Sequence, residues 1–230
     1  PQDREPRAMN EPRTTAVRFA LAELPEQLAA FAARWPQARA DRRGLVFRDP
    51  ARTAALRVPL LAPRVEPFEP LAAYAERAEA PLGSFVLLLL RAGALAVGYW
   101  DGAELLDHRA ERRYVVRGHG KAQPLHQKTR GKSRYGARLR LQNWRRLLTT
   151  ASERLHRQWQ QFGAPERIFC GAPVRVRAEL FAAEPPPPFR GDDPALVVLP
   201  MHSHRPDHRE LLRVHHWLGH GRLELPAVDG

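Results

Sequence analysis

The sequence predicts an α/β protein, in which a mixed β-sheet carries helices on both faces and follows a small α+β extension. Two observations predict this class. Short apolar runs bounded by turn residues follow one another from Ser84 to Arg117, as successive strands do. A long stretch with apolar residues at steps of three and four comes next, and strand-like and helix-like stretches then alternate as far as Gly219.

The composition sets the class of protein. A chain of 230 residues and 26.1 kDa supports one well-packed domain with a small extension. The single cysteine, Cys170, excludes a disulfide framework and a cysteine-rich zinc module and fits a reducing cytoplasm. The longest apolar run, Phe85 to Leu90, is far shorter than the roughly 18 residues of a membrane span. We therefore expect a cytoplasmic monomer with no membrane association.

The N-terminal part carries no recognisable chemistry. Residues 1–15 are polar and charged without an apolar signal core, so we expect a disordered arm and not a secretory leader. Residues 16–82 are expected to form a small extension or subdomain. Its predicted elements are a helix at Pro25–Trp35, a pair of strands at Gly44–Phe47 and Ala54–Leu60, and a helix at Leu71–Ala80.

Residues 83–230 are expected to form the main domain, which begins with three strands. Ser84–Arg91 and Ala94–Trp100 are the first two, and the Asp-Gly pair that follows them is a strong hairpin signal. The third strand is predicted from Glu104–His108 and Arg113–Arg117, as one long strand or as a broken one. These strands, expected to be antiparallel, lead the chain into a loop that precedes the long helical stretch.

The long helix is predicted from about Arg134 to Phe162, and the elements after it complete the domain. Its apolar face is expected to comprise Ala137, Leu141, Trp144, Leu148, Ala151, Leu155, Trp159 and Phe162. The later elements are predicted as a strand at Arg167–Cys170, a helix at Val174–Ala182, a strand at Ala195–Leu199, a helix at Pro206–Leu218 with Pro206 in its first turn, and a closing strand at Leu223–Leu225. The order β-β-β-α-β-α-β-α is that of a ribonuclease-H-like three-layer domain.

The basic charge is concentrated in one segment. Residues 112–152 contain no Asp or Glu and hold 12 of the 37 Lys and Arg, so the rest of the chain balances 25 basic against 25 acidic residues. The net charge of +12 therefore lies entirely in this segment. Like charges crowded in this way repel one another unless a polyanion neutralises them, and this favours nucleic acid as the partner over an ordinary solvated face.

Three other kinds of site are disfavoured. A metal-dependent nuclease of this fold would need carboxylates on the first strand, the first helix and the fourth strand, and the strands Ser84–Arg91 and Arg167–Cys170 contain none. Cys170 lies in a strand that should be buried, which is typical of a core residue and not of a nucleophile. The histidine cluster His202, His204, Asp207 and His208 has one residue too many for the metal signature of the metallo-β-lactamase fold, so we interpret these side chains as surface groups.

The loop before the long helix carries the resemblance to a known family. The three strands, a loop with Gly118 and Gly120 that leads to Gln123, and the long basic helix together resemble the catalytic domain of eukaryotic and archaeal class I release factors. The chain is most similar to the release-factor-like peptidyl-tRNA hydrolases of ribosome-associated quality control. The tip would be Gly120-Lys121-Ala122-Gln123, and the residues after it match the family's basic run into the helix.

The resemblance implies hydrolysis of the ester between a nascent chain and its tRNA on stalled large ribosomal subunits. Gln123 would be the catalytic residue and would position a water, within a catalytic loop formed by Gly118, Gly120, Lys121 and Ala122. It implies no metal and no cofactor. The partners would be large-subunit rRNA and peptidyl-tRNA, whose phosphates would be bound by Arg117, Lys128, Arg130, Lys132, Arg134 and Arg138.

Two alternatives stay open. Some eukaryotic relatives are thought to cut the tRNA near its CCA end, so the same loop could belong to a nuclease. A non-catalytic module that only docks on the ribosome is the other, and it is favoured by Lys121 and Ala122, which replace the small residues that usually precede the glutamine. A Cβ at these positions disfavours the positive φ that glycine accepts.

Overall fold

The computed structural model describes residues 14–115, 132–201 and 203–226. Its elements are β1 (Thr14–Ala20), α1 (Leu24–Arg34), β2 (Arg39–Ala40), β3 (Phe47–Arg48), β4 (Ala55–Arg57), α2 (Leu71–Arg77), β5 (Ser84–Arg91), β6 (Ala94–Asp101), β7 (Glu104–Arg112), α3 (Lys132–Phe162), β8 (Arg167–Gly171), α4 (Val174–Phe181), β9 (Leu196–Val198), α5 (His208–Leu218) and β10 (His220–Pro226). The chain divides into two compact units, Pro1–Pro81 with His216–Gly230, and Leu82–His215. None of the described helices is long and apolar enough to cross a membrane.

The first unit is a five-stranded antiparallel sheet with helices against one face. The strand order is β1-β10-β4-β3-β2, so the C-terminal strand lies between the N-terminal strand and β4. Leu28 of α1 and Tyr74 of α2 pack in one core with Phe47 and Leu56 of the sheet. The Tyr74 hydroxyl donates to the Pro63 carbonyl at 3.0 Å, which satisfies the polar end of a buried ring.

Most predicted elements of the first unit are present, with two differences. The helix predicted at Pro25–Trp35 is α1, and the predicted strand pair is β3 and β4. β1 and the two-residue β2 were not predicted; the β1 side chains from Thr15 to Arg18 are all exposed, so that this strand lacks a strong apolar alternation. The predicted closing strand is present as β10, and it pairs with β1 and β4 in this sheet.

The second unit has a mixed five-stranded sheet in the order β7-β6-β5-β8-β9. β5, β6 and β7 are antiparallel neighbours, whereas β8 pairs parallel with β5, and β9 pairs parallel with β8. The element order β-β-β-α-β-α-β-α matches the order predicted from the sequence. β5 and β6 are buried along nearly their whole length, because helices cover the two faces of the sheet.

The helices of the second unit lie on opposite faces of its sheet. On one face α3 and α4 pack on side chains such as Leu88 and Val97, with Leu155 of α3 fully buried. On the other face the His215 ring of α5 stacks on Trp100 at 4.8 Å between ring centroids. The same ring stacks on Phe85 at 5.8 Å. The structure thereby confirms the predicted α/β class.

Three predictions of detail were wrong in the second unit. The third strand is the long form that was expected as one alternative, but β7 ends at Arg112: Arg113–Val115 are not strand, and residues 116–117 lie outside the described part. Leu141 was expected in the core but is 51% exposed, because burial along α3 begins at Trp144. Pro206 precedes α5 and does not lie in its first turn; Asp207 caps the helix by accepting the Glu210 backbone N–H at 2.8 Å.

Candidate functional site

The predicted site lies on the connection between β7 and α3. Eight of its residues fall within 116–131, outside the described residues: Arg117, Gly118, Gly120, Lys121, Ala122, Gln123, Lys128 and Arg130. Lys132 and Arg134 belong to the first turn of α3, where the structure describes the backbone only. Arg138 follows one turn later with an exposed side chain. The described residues therefore define the two stems of the loop, and the loop residues stay predictions.

The first stem is attached to the turn between β5 and β6. The backbone N–H of Arg113 donates to the Gly93 carbonyl at 2.9 Å, directly after β7 ends. Gly93 has a φ of +81°, and a Cβ at this position would lie 2.8 Å from the Arg113 carbonyl oxygen. Val115 then packs against the core between the sheet and α3. The turn therefore needs glycine both for its conformation and for the closeness of the stem.

A side chain of α3 holds the same stem. The Asn143 amide Nδ2 donates to the Tyr114 carbonyl oxygen at 2.9 Å. Tyr114 itself is 54% exposed, so its backbone, and not its ring, is the anchored group. The hydrogen bond joins the last described residues before the loop to the helix that follows the loop.

An ion pair fixes the end of β7 against the start of α5. Asp207 accepts a hydrogen bond from Arg112 Nη2 at 2.5 Å while it caps α5. The Glu210 backbone N–H, and then the charge of Arg112, hold the pKa of the Asp207 carboxyl below its usual value. Arg112 is one of the 12 basic residues of the segment of residues 112–152, and its charge is compensated by Asp207.

The second stem, α3, is braced along its length. The Trp144 indole N–H donates to Glu179 of α4. Further along the helix, Asp107 of β7 accepts hydrogen bonds from Arg154 and, at 2.8 Å, from Gln158 Nε2. Asp107 of the strand before the loop is thereby bound by two residues of the helix after it, in addition to the contact between Asn143 and Tyr114.

The first half of α3 presents uncompensated positive charge. Arg138, Arg145 and Arg146 are exposed, and none of the three has a carboxylate partner among the described residues. Arg154, in contrast, is paired with Asp107. Because the segment of residues 112–152 contains no acidic residue, this half of the helix offers free guanidinium groups to an anionic partner.

The alternative sites have no chemistry in the described part of the chain. Burial raises the pKa of the Cys170 thiol to about 11, with Arg177 opposing the shift, so Cys170 is a protonated core residue. No group of three or more His, Cys, Asp or Glu among the described residues could hold a metal ion, and His202 lies outside them. His204 and His208 are exposed, as interpreted from the sequence.

The stems add residues that the sequence analysis missed. Four residues were not recognised from the sequence as positioning the loop: Gly93, Asp107, Asn143 and Asp207. Gly93 lies in the turn between β5 and β6, and its closeness to Arg113 depends on how β6 and β7 pair. Asn143 stands in a basic stretch where amides are common, and only the structure joins it to Tyr114, 29 residues earlier.

The described residues thus place residues 116–131 between β7 and a basic helix of an α/β domain with a mixed sheet. The chain belongs to the Bacteroidetes VLRF1 release factor family, whose pattern matches residues 85–224. This match confirms the release-factor resemblance drawn from the sequence. Among solved structures, the chain is similar to one titled "Vms1 mitochondrial localization core", with a TM-score of 0.49 and 14% identity over 87% of this chain and 80% of that one. No curated protein gives a significant match.

Proposed function

We propose that this protein is a ribosome-associated peptidyl-tRNA hydrolase that releases nascent chains from tRNA on stalled large ribosomal subunits. Membership of a release-factor family supports a role in ribosome-associated release or rescue. The observation that carries the finer proposal is the pair of fixed stems: Arg113 is bound to Gly93, and Tyr114 is bound to Asn143. Fixed stems let a loop present one residue at a defined place.

The proposed chemistry is attack of water on an ester. The water oxygen bonds to the carbonyl carbon, the bond from that carbon to the tRNA 3′ oxygen breaks, and the water proton passes to the leaving ribose oxygen. Gln123 would position the water through its backbone N–H and side-chain amide. An amide is not a general base at neutral pH, so Gln123 would contribute orientation and hydrogen bonding to the developing oxyanion. The reaction as proposed needs no metal ion.

The basic residues around the loop would bind RNA phosphates. Exposed Arg138, with Arg145 and Arg146 further along α3, is available for this because none of them is paired within the described residues. Arg117, Lys128, Arg130, Lys132 and Arg134 are proposed to act with them. Such contacts predict that binding to rRNA and tRNA weakens steeply with salt.

We also propose that residues 83–230 act as the catalytic domain with a ribonuclease-H-like three-layer fold, whose last residues, 216–230, belong to the first compact unit, and that residues 16–82 are an extension of it. The strand order β7-β6-β5-β8-β9, with helices on both faces, supports this fold. The absence of carboxylates on β5 and β8 supports release in place of metal-dependent cleavage. A monomer acting in the cytoplasm fits the proposal.

The test is peptide release from purified large subunits that carry radiolabelled peptidyl-tRNA. Wild-type protein, Gln123→Ala and a matched control, Gln127→Ala from the same loop, are compared, and the products are separated on an acidic gel that preserves the ester. We expect wild type and Gln127→Ala to free the peptide and leave full-length tRNA. Gln123→Ala should lose about 100-fold or more in rate, because orientation of the water is lost.

Each other result has a definite meaning. A shortened tRNA would show that the protein is a nuclease that cuts near the CCA end, and not a hydrolase of the ester. Binding to the subunit without release by wild type would leave a docking module, as the Lys121-Ala122 sequence at the tip suggests. Equal release by Gln123→Ala and wild type would remove Gln123 from the mechanism.

A further inference from the structure

Five exposed arginines lie on one face of the sheet of the first unit. The strand register places Arg18 of β1 opposite Arg222 of β10, and Arg222 opposite Arg57 of β4. Residues directly opposite one another in antiparallel strands project to the same face. Neighbouring strands lie about 4.8 Å apart, so these three arginines form one row about 10 Å long across the sheet.

A second row lies two residues along each strand and projects to the same face. It reads Ala16, Glu224, Ala55, Arg48 and Arg39 from β1 to β2. We call the surface made by Arg18, Arg39, Arg48, Arg57 and Arg222 the arginine face; all five side chains are exposed.

The opposite face of the sheet carries the hydrophobic core. Leu223, Leu56 and Phe47 occupy the row between the two arginine rows, and alternation along the strands directs them toward α1 and α2. The arginine face is therefore turned away from both helices of its own unit, and the hydrophobic core of that unit does not include these guanidinium groups.

The charge on this face is poorly compensated. Glu224 is the one carboxylate in the two rows, and it pairs with Arg222 at 3.1 Å between Oε1 and Nε. Arg18, Arg48 and Arg57 have no carboxylate partner among the described residues, and Arg39 donates to the Phe68 carbonyl at 3.4 Å. Like charges directly opposite in a sheet destabilise it. The fold thus carries an electrostatic cost that an anionic partner would remove.

We propose that the arginine face is a second RNA-binding surface, which binds the phosphate backbone without reading sequence. Guanidinium groups suit phosphate because two parallel N–H donors match two oxygens. The two rows contain no aromatic side chain on which a base could stack, so phosphate contacts are expected and base recognition is not. They also contain no long apolar side chain, which disfavours insertion into a membrane surface.

RNA is chosen over other polyanions because a release factor works against ribosomal RNA, and to that extent the choice of partner rests on the proposed function. The existence of the arginine face does not rest on the proposed function. The face is made entirely of residues outside the segment of residues 112–152 that gives the chain its net charge. The remainder of the chain is neutral in total, yet the sheet register collects arginines from three distant parts of the sequence on one surface.

The test compares two triple variants of the whole chain with equal loss of charge. Arg18→Gln with Arg57→Gln and Arg222→Gln removes the first row. Arg34→Gln with Arg42→Gln and Arg43→Gln is the control, in which all three exposed arginines lie off the two rows, one on α1 and two in the turn after β2. The measurement is affinity for a fluorescein-labelled RNA hairpin of arbitrary sequence at several salt concentrations, with phosphatidylserine vesicles in parallel.

We expect the row variant to bind the hairpin about tenfold more weakly and to lower the salt slope of log K by about 2, while the control changes affinity about twofold. Melting of the row variant should not fall below wild type, because opposed like charges have been removed. Hairpin binding is measured without peptidyl-tRNA, so that failure of the loop chemistry and failure of this surface are told apart.

Three results would overturn the proposal. Equal weakening in both triple variants would mean that only total charge matters. Unchanged hairpin binding in the row variant would mean that the face does not contact RNA. Loss of vesicle binding with unchanged hairpin binding would assign the face to an anionic membrane and remove RNA as its partner.

Discussion

The Asn143 side chain donates a hydrogen bond to the Tyr114 carbonyl at 2.9 Å, and this contact joins the two stems of the loop that carries Gln123. The residues before the loop follow an edge strand, because β7 has a single neighbour, β6, and the Arg113 N–H bond to the Gly93 carbonyl is their other attachment. A fixed stem limits how far the tip can move from its productive position, and displacement by about 1 Å can cost as much as 100-fold in rate.

Replacement of Asn143 by Ala should therefore affect release more than stability. Loss of one neutral hydrogen bond should lower the free energy of unfolding by about 1 kcal/mol, measured by urea denaturation. Peptide release should slow by at least several-fold. Gln142→Ala is the matched control, because Gln142 is an exposed neighbour without a hydrogen-bond partner among the described residues. Release at the wild-type rate by Asn143→Ala would show that the stem does not depend on this bond.

Gly93 and Gly102 provide a matched pair for the other attachment of the stem. Both have positive φ, +81° and +56°, so an alanine at either position meets a strained backbone that costs about 1–2 kcal/mol. Only at Gly93 would the added Cβ also meet a carbonyl, that of Arg113, at 2.8 Å, whereas no atom lies within 4 Å at Gly102.

Gly93→Ala should consequently destabilise the protein more than Gly102→Ala, by about 1 kcal/mol beyond the shared backbone cost. It should also slow release, because the N–H of Arg113 must move away from the Gly93 carbonyl. Urea unfolding and the release assay on both variants measure this difference. Equal effects of the two substitutions would mean that only backbone conformation matters and that the stem tolerates displacement.

The elements of this fold follow from sequence where a local pattern specifies them. The apolar run Ser84–Arg91 predicts a strand buried on both faces, and β5 has these bounds. The apolar spacing before Phe162 predicts α3, but the burial of Leu141 depends on how far other elements cover the helix, which periodicity does not contain.

What the sequence could not provide are relationships between distant residues. Asp107 and Arg154 meet across 47 positions because β7 lies beside α3. Arg18, Arg57 and Arg222 share one row because β10 pairs with both β1 and β4. Counting charges along the sequence places the net positive charge in residues 112–152 alone. The arginine face is not visible in such a count, because only the register of the strands brings its arginines together.

The pair between Asp107 and Arg154 should be a stabilising contact of the second unit. Their side chains are only 20% and 18% exposed, and Gln158 is the other partner of Asp107. Arg154→Ala leaves a largely buried carboxylate with one neutral donor, which should lower the free energy of unfolding by about 1–3 kcal/mol.

The control is Arg157→Ala, on the exposed side of the same helix. It should change the free energy of unfolding by no more than about 0.5 kcal/mol. Chemical denaturation of Arg154→Ala and Arg157→Ala measures both free energies of unfolding. A double variant, Asp107→Ala with Arg154→Ala, should cost less than the sum of the single changes if the two residues interact. Strict additivity would mean that the pair contributes no coupling.

Cys170 should be inert in the folded protein and unnecessary for release. It is 2% exposed, and burial raises the pKa of its thiol from the usual 9.0 to about 11. A native pKa above the unfolded value means that the folded state holds the proton more tightly. The contribution of this group to stability is therefore complete below pH 9 and falls as the pH rises from 9 toward 11.

Native protein at pH 8 should accordingly react with an aromatic disulfide reagent far more slowly than protein in urea. Cys170→Ala should release peptide at the wild-type rate, and its deficit in unfolding free energy relative to wild type should shrink between pH 9 and pH 11, because the variant lacks the titrating group. Stability curves of both proteins across that range isolate Cys170 from the tyrosines and lysines that titrate in each. A native thiol that reacts as fast as the unfolded one, or a variant that fails to release peptide, would return Cys170 to the list of candidate nucleophiles and would weaken the case for a glutamine-tipped loop acting alone.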